Sequence, residues 1–97
     1  MYSKEQVKRA KKSAVHKINE NDKRIHFKVV FVDSKQEKHE HSVIFRKDRK
    51  FPANFDCDCI FCSFYGYSGK EKRLIKLCSN CLAVAKYLNM PEVNDVL

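Results

Sequence analysis

Apolar positions in the first part of the chain recur at helical spacing. Val7, Ala10, Ala14, Val15 and Ile18 return every few residues, with Lys8, Arg9, Lys11 and Lys12 mostly opposite, which predicts an amphipathic basic helix over residues 1–20. Ser3 followed by Gln6 fits a capping box at its start. Asn19-Glu20-Asn21-Asp22 reads as a turn. The period then changes to two. Ile25, Phe27, Val29 and Phe31 alternate with residues of mixed character, predicting a strand from Arg24 to Val32. After the polar loop Asp33 to Lys38, His41, Val43 and Phe45 alternate with Ser42, Ile44 and Arg46, so the two runs make a β-hairpin. Beyond the basic turn Lys47 to Lys50, Pro52 favours an extended arm over a helix from Phe51 to Phe55, which closes a hairpin-and-arm unit of residues 24–55. Leu74-Ile75-Lys76-Leu77 has the length of a short strand. Residues Asn80 to Leu88 are apolar almost all round and predict a buried helix, capped by Ser79 or Asn80 and stopped at Asn89 and Pro91. Glu92 to Leu97 is a tail without periodicity.

These elements predict a single α+β domain over residues 1–97: an N-terminal helix, a β-hairpin, and a loop plus helix over residues 57–89. Its 97 residues leave much of the surface exposed, so a staple would help it fold. The composition is globular, with 43% hydrophobic residues and only two Gly and two Pro, which argues against wholesale disorder. No apolar run approaches the roughly 18 residues that span a bilayer, and Met1-Tyr2-Ser3-Lys4-Glu5 lacks an apolar signal core. The expectation is an intracellular protein, cytoplasmic or nucleoid-associated, with no membrane contact.

All five cysteines fall within the 25 residues from Cys57 to Cys81. An odd number crowded into one stretch of an unsecreted chain favours metal over disulfides. Cys59-Ile60-Phe61-Cys62, fifteen residues, then Cys78-Ser79-Asn80-Cys81 has the two-pair spacing of structural zinc sites, and Cys57-Asp58-Cys59 adds an overlapping pair. Tetrahedral zinc closes with four thiolates at about 2.3 Å. Five thiols therefore compete for four positions. The same ligands suit an iron–sulfur cluster. The Cys78 to Cys81 motif also occurs in thiol redox enzymes, but the βαβ pattern of that class is missing. His26, His39 and His41 fall in the hairpin and its loop, where they read as solvated or strand-face residues. The chain is expected to be a binding protein and not an enzyme, because four thiolates leave zinc no open position for Lewis-acid catalysis.

A hairpin, Cys-x-Cys, a loop and a second ligand pair opening an apolar helix resemble the SWIM zinc-binding domain, whose pattern is Cys-x-Cys, a variable gap, then Cys-x-His. The similar residues are Ser42 to Phe45, Cys57-Asp58-Cys59, the loop Phe61 to Gly66, and Leu77-Cys78-Ser79-Asn80-Cys81-Leu82-Ala83-Val84. The family's histidine would fall at Asn80, and Cys81 next to it is the natural substitute. That gives the ligand set Cys57, Cys59, Cys78 and Cys81. The competing set takes Cys62 in place of Cys57 and would look like a treble clef or zinc ribbon. The resemblance implies a module for DNA or protein contacts, such as an archaeal or viral partner of a recombinase-type or replication protein.

Charge bears on the partner. The net charge is +8, and residues 1 to 28 hold nine Lys or Arg against three acids. Such a chain attracts polyanions. Basic clusters occur at Lys8, Arg9, Lys11 and Lys12; at Arg46, Lys47, Arg49 and Lys50; and at Lys70, Lys72, Arg73 and Lys76. Phe64, Tyr65 and Tyr67 adjoin the third, and rings beside cations suit stacking on unpaired bases. Nucleic-acid contacts are therefore expected from Lys47, Arg49, Lys50, Lys70, Lys72, Arg73, Tyr65 and Tyr67, with DNA favoured over RNA. Protein docking is the alternative, and the apolar stripe from Val7 to Ile18 would serve a partner or a homodimer if it finds no groove within the chain.

Overall fold

The computed structural model describes residues 2–59 and 77–94. Two helices and a four-stranded antiparallel sheet make a small α+β domain: α1 (Lys4–Lys12), β1 (Ala14–Glu20), β2 (Arg24–Val32), β3 (Lys38–Arg46), β4 (Phe55–Cys57) and α2 (Ser79–Tyr87). The strands lie in sequence order, β1-β2-β3-β4. The possible strand at Leu74 to Leu77 falls, but for Leu77, outside the described residues.

The N-terminal helix is shorter than its periodicity predicts. Its capping box forms, with Ser3 Oγ accepting from the Gln6 amide at 3.1 Å and Gln6 Oε1 accepting from the Ser3 amide at 3.0 Å. It ends at Lys12, where Ser13 turns extended and donates its hydroxyl to the Arg9 carbonyl at 2.7 Å. Residues 14–20 form a strand instead. Val15, Ile18 and Asn19 are poor helix formers, and an isolated helix of this length is marginal in water. Against that weak preference stands the free edge of β2, whose backbone groups need partners. The β1–β2 ladder, from Ala14 opposite Val30 to Glu20 opposite Ile25, supplies them. The helical spacing of Ala14, Val15 and Ile18 was thus coincidental.

The hairpin forms as its alternation predicts. Ile25, Phe27 and Val29 face Phe45, Val43 and His41 across the ladder, and the apolar members of that face turn inward. Asp33 organises the connecting loop, its Oδ1 accepting from the amides of Lys35 and Glu37, both at 2.9 Å. The expected arm from Phe51 to Phe55 is a compact turn with a cis Phe51–Pro52 bond, and from it Phe55 starts the short strand β4 against Phe45.

Helix α2 is buried from Ser79 to Ala85 because it lies between partners: all four strands contact it, and α1 packs against it. Its uniformly apolar sequence follows from that position. Ala10 is the buried residue of α1, and its lack of a long side chain lets the helices approach. Asn89, at φ 58°, ends α2 in a left-handed cap, with the Met90 amide donating to Ala85 O at 3.0 Å and the Asn89 amide to Lys86 O at 2.9 Å. A 3-10 turn, Pro91–Val93, then returns Val93 to the core.

Candidate metal centre

Two separate segments bring the thiols together. Strand β4 pairs Cys57 with Val43, which fixes the Cys57 side chain on the core face of the sheet. Just beyond it, Asp58 ties the Cys-x-Cys turn to β3. Asp58 Oδ1 accepts from the Ser42 amide at 3.2 Å and lies 3.2 Å from His41 Nδ1, while the Asp58 amide faces Ser42 O at 3.4 Å. Cys78 approaches from the other side as the N-cap of α2, and its sulfur accepts from the Cys81 amide at 3.5 Å. The start of that helix is held to α1 by Gln6 Nε2, 3.5 Å from Leu77 O.

The sulfurs of Cys57, Cys59 and Cys78 lie within 4.8 Å of one another, and all three residues are buried. A tetrahedron with bonds of about 2.3 Å places its sulfurs about 3.8 Å apart, so a slight contraction of this triangle would accommodate a metal ion. These three cysteines are chemically able to hold a metal. Thiolate charge at Cys78 is favoured by the amides and dipole of the α2 N-terminus.

The sequence pattern draws attention to three further residues for the site: Asn80, Cys81 and Cys62. Asn80, at the place of the SWIM histidine, is 6% exposed and directs Nδ2 to Cys57 Sγ at 3.8 Å. It acts as a hydrogen-bond donor to a sulfur of the triangle. Sequence reasoning missed that role, although the Asn-for-His exchange marked the position. Cys81 is wholly buried in the first turn of α2 and lies outside the triangle. It is close enough to Tyr2 that burial first, and the Cys81 charge second, push the Tyr2 phenol above its ordinary pKa. Cys62 lies outside the described residues. So do Tyr65, Tyr67, Lys70, Lys72 and Arg73.

Beside the triangle opens a cavity of about 450 Å³ whose lining includes Cys59, Cys78, Asn80, Arg9, Phe31 and His39. The Arg9 guanidinium sits 4.8 Å from the centre of the Phe31 ring, and His39 stacks on the same ring at 6.3 Å. His39 Nε2 also meets Asp33 Oδ2 at 3.0 Å, and this contact is the chief reason the Asp33 carboxyl falls below its ordinary pKa.

The expected nucleic-acid contacts fare unevenly. Lys47 is already engaged, with Nζ 2.7 Å from Glu20 Oε2 and 3.0 Å from Asn21 O. Glu20 is held below its ordinary pKa first by that bond and next by Lys17. Arg49 and Lys50 are exposed in the turn after β3. Among the described residues no helix is long and apolar enough to cross a membrane. Comparison with protein-family models, with curated proteins and with solved structures finds no match to the chain.

Proposed function

We propose that this chain is a zinc-stapled module that binds nucleic acid, with DNA as the favoured partner and the metal structural. The carrying observation is the buried triangle of Cys57, Cys59 and Cys78, assembled from segments about twenty residues apart at a helix start. Cys81, on the same helix turn as Cys78, completes the set. Four thiolates make a closed site, which suits a staple and leaves no coordination position for substrate. The module is accordingly a binding protein and not an enzyme. Clustered thiolates of this kind belong to a reducing, intracellular compartment. A net charge of +8, near +6 once four thiolates and Zn²⁺ are counted, supports a polyanionic partner. The likeness of Cys57-Asp58-Cys59 and Leu77 to Val84 to the SWIM pattern supports DNA.

Native mass spectrometry with elemental analysis, with and without a short oligonucleotide, tests the reading. One zinc per chain and a complex that dissociates as salt is raised are expected. A chain without metal would defeat the staple. Zinc without oligonucleotide binding would replace the reading by a protein-docking adaptor, which Ile18 on the edge strand β1 and Tyr87 at the end of α2 favour by being 56% and 55% exposed.

A further inference from the structure

The cations of the described residues differ in how they are matched. On and beside the sheet most are paired: Lys17 and Lys47 meet Glu20 at 3.0 and 2.7 Å, Lys28 and Lys38 meet Glu40 at 3.3 and 2.9 Å, and Arg46 meets Asp56, while Arg24 on β2 is exposed without an ion pair among the described residues. On α1 they are unmatched. Lys4, Lys8, Lys11 and Lys12 are exposed and make no ion pair with any described residue, and Glu5 is the one acid of the helix. Arg9, the cation four residues after Glu5, lies over the Phe31 ring.

We infer that the exposed face of α1, with Lys4, Lys8 and Lys11 in line, is the surface that grips the phosphate backbone of duplex DNA. The inference rests on the nucleic-acid reading above and locates it on the molecule. Residues at i, i+4 and i+7 fall on one stripe of a helix, and a rise of about 1.5 Å per residue spreads these three over about 10 Å. Beside them runs a groove of about 390 Å³ that they line together with Tyr2 and Val7. Its lining combines apolar and cationic side chains, and lysine stems can pack on apolar surface while their ammonium groups stay in water. Among the described residues no carboxylate lines it.

Two features distinguish this face from an ordinary solvated one. Like charges at i, i+4 destabilise a helix by about 0.2–0.5 kcal/mol per pair, and α1 carries two such pairs, Lys4 with Lys8 and Lys8 with Lys12. A bound phosphate chain relieves that repulsion. The helix is also held rigidly, by its capping box, by buried Ala10 and by Gln6 on Leu77 O, so the charges need little ordering on binding. Lysine and valine offer no bidentate contact to a base edge, so binding through this face should be indifferent to sequence.

The experiment measures affinity for a fluorescent DNA duplex by anisotropy between about 50 and 200 mM salt. It compares the zinc-loaded wild-type chain, K4Q/K8Q/K11Q and R49Q/K50Q. Each lost phosphate contact flattens the slope of log K against log salt by about 0.9, so the triple variant should lose roughly 2.7 of slope while the double variant stays near wild type. A triple variant with the wild-type slope, or a loss confined to the double variant, overturns the inference and leaves the nucleic-acid reading standing. A wild-type chain that binds no duplex, including one that binds phosphatidylserine vesicles through the same lysines, overturns the inference, and one that also binds no single-stranded oligonucleotide overturns the nucleic-acid reading as well. Lysine acetylation of the wild-type chain avoids any dependence on variant folding. Bound duplex should slow modification at Lys4, Lys8 and Lys11, and unchanged rates there would refute the placement.

Discussion

At the scale of single residues, substitution distinguishes the two ligand sets that the cysteine spacing leaves open. Cys57 stands in the triangle with Cys59 and Cys78, so Cys57→Ser should release the metal, whereas Cys62→Ser should retain one equivalent by elemental analysis. The reverse result would transfer the site to Cys62. Asn80 donates to Cys57 Sγ and, in the proposed centre, supports it from outside the ligand set. Removing such a partner commonly weakens metal binding about 10- to 100-fold, so Asn80→Ala should lose affinity in that range in a competition titration with a chromophoric chelator. Asp33 gives a milder effect. Its carboxyl is held below the ordinary pKa by His39 first and by the Glu37 and Lys35 amides after it. A depressed carboxylate contributes stability that is present above the ordinary pKa and lost as pH falls through the folded value. Asp33→Asn should therefore flatten the decline of Tm below about pH 4, and only slightly, because the group is exposed.

At the scale of elements, the domain depends on α2, which is buried on both sides. Phe27 is wholly buried on the sheet face beneath it, with its ring edge-on to Tyr87 at a centroid distance of 5.5 Å. Phe27→Ala should cost about 3–5 kcal/mol in denaturant unfolding of the metal-loaded chain. The contact between helices is governed by size instead. Ala10 is 2% exposed, so Ala10→Leu should overpack the junction and cost about 1–3 kcal/mol. That variant should also disturb the lysine face, since the junction orients it. Edge strand β1 shows a different economy: a register shift between Lys17 and Asn19, with charged Lys17 and Glu20 alongside, interrupts the open edge and discourages pairing with a second chain.

At the scale of the whole molecule, the thiol triangle joins the two parts of the core. Cys57 and Cys59 follow the sheet and Cys78 opens α2, so a metal there fastens the helix to the sheet. A domain of 97 residues has a limited core, and a metal held at the triangle would contribute directly to its folding free energy. Charge is distributed with similar economy. Most of the sheet's cations are matched by Glu20, Glu40 and Asp56, whereas the lysines of α1 are exposed and make no ion pair among the described residues. In the proposed reading, that excess is what an approaching polyanion would meet.

Wherever a local pattern had one physical solution, the sequence by itself determined the structure. The period-two run from Arg24 to Val32 has one burial face, Ser3 and Gln6 satisfy each other's amides, and Asn89 before Pro91 stops a helix that is apolar all round. The cysteine cluster was legible for the same reason, since short spacings restrict where thiols can go. Ala14 to Glu20 had two solutions. Their spacing fits a helix and their residue types fit a strand, and only the unpaired edge of β2, a partner distant in sequence, decided between them. The charges followed the same division: composition determined how many cations there are, but Lys47 and the lysines of α1 look alike in sequence. Only folding brought Glu20 against Lys47 and left Lys4, Lys8 and Lys11 without a carboxylate among the described residues, because pairing across strands depends on distances that local sequence does not encode.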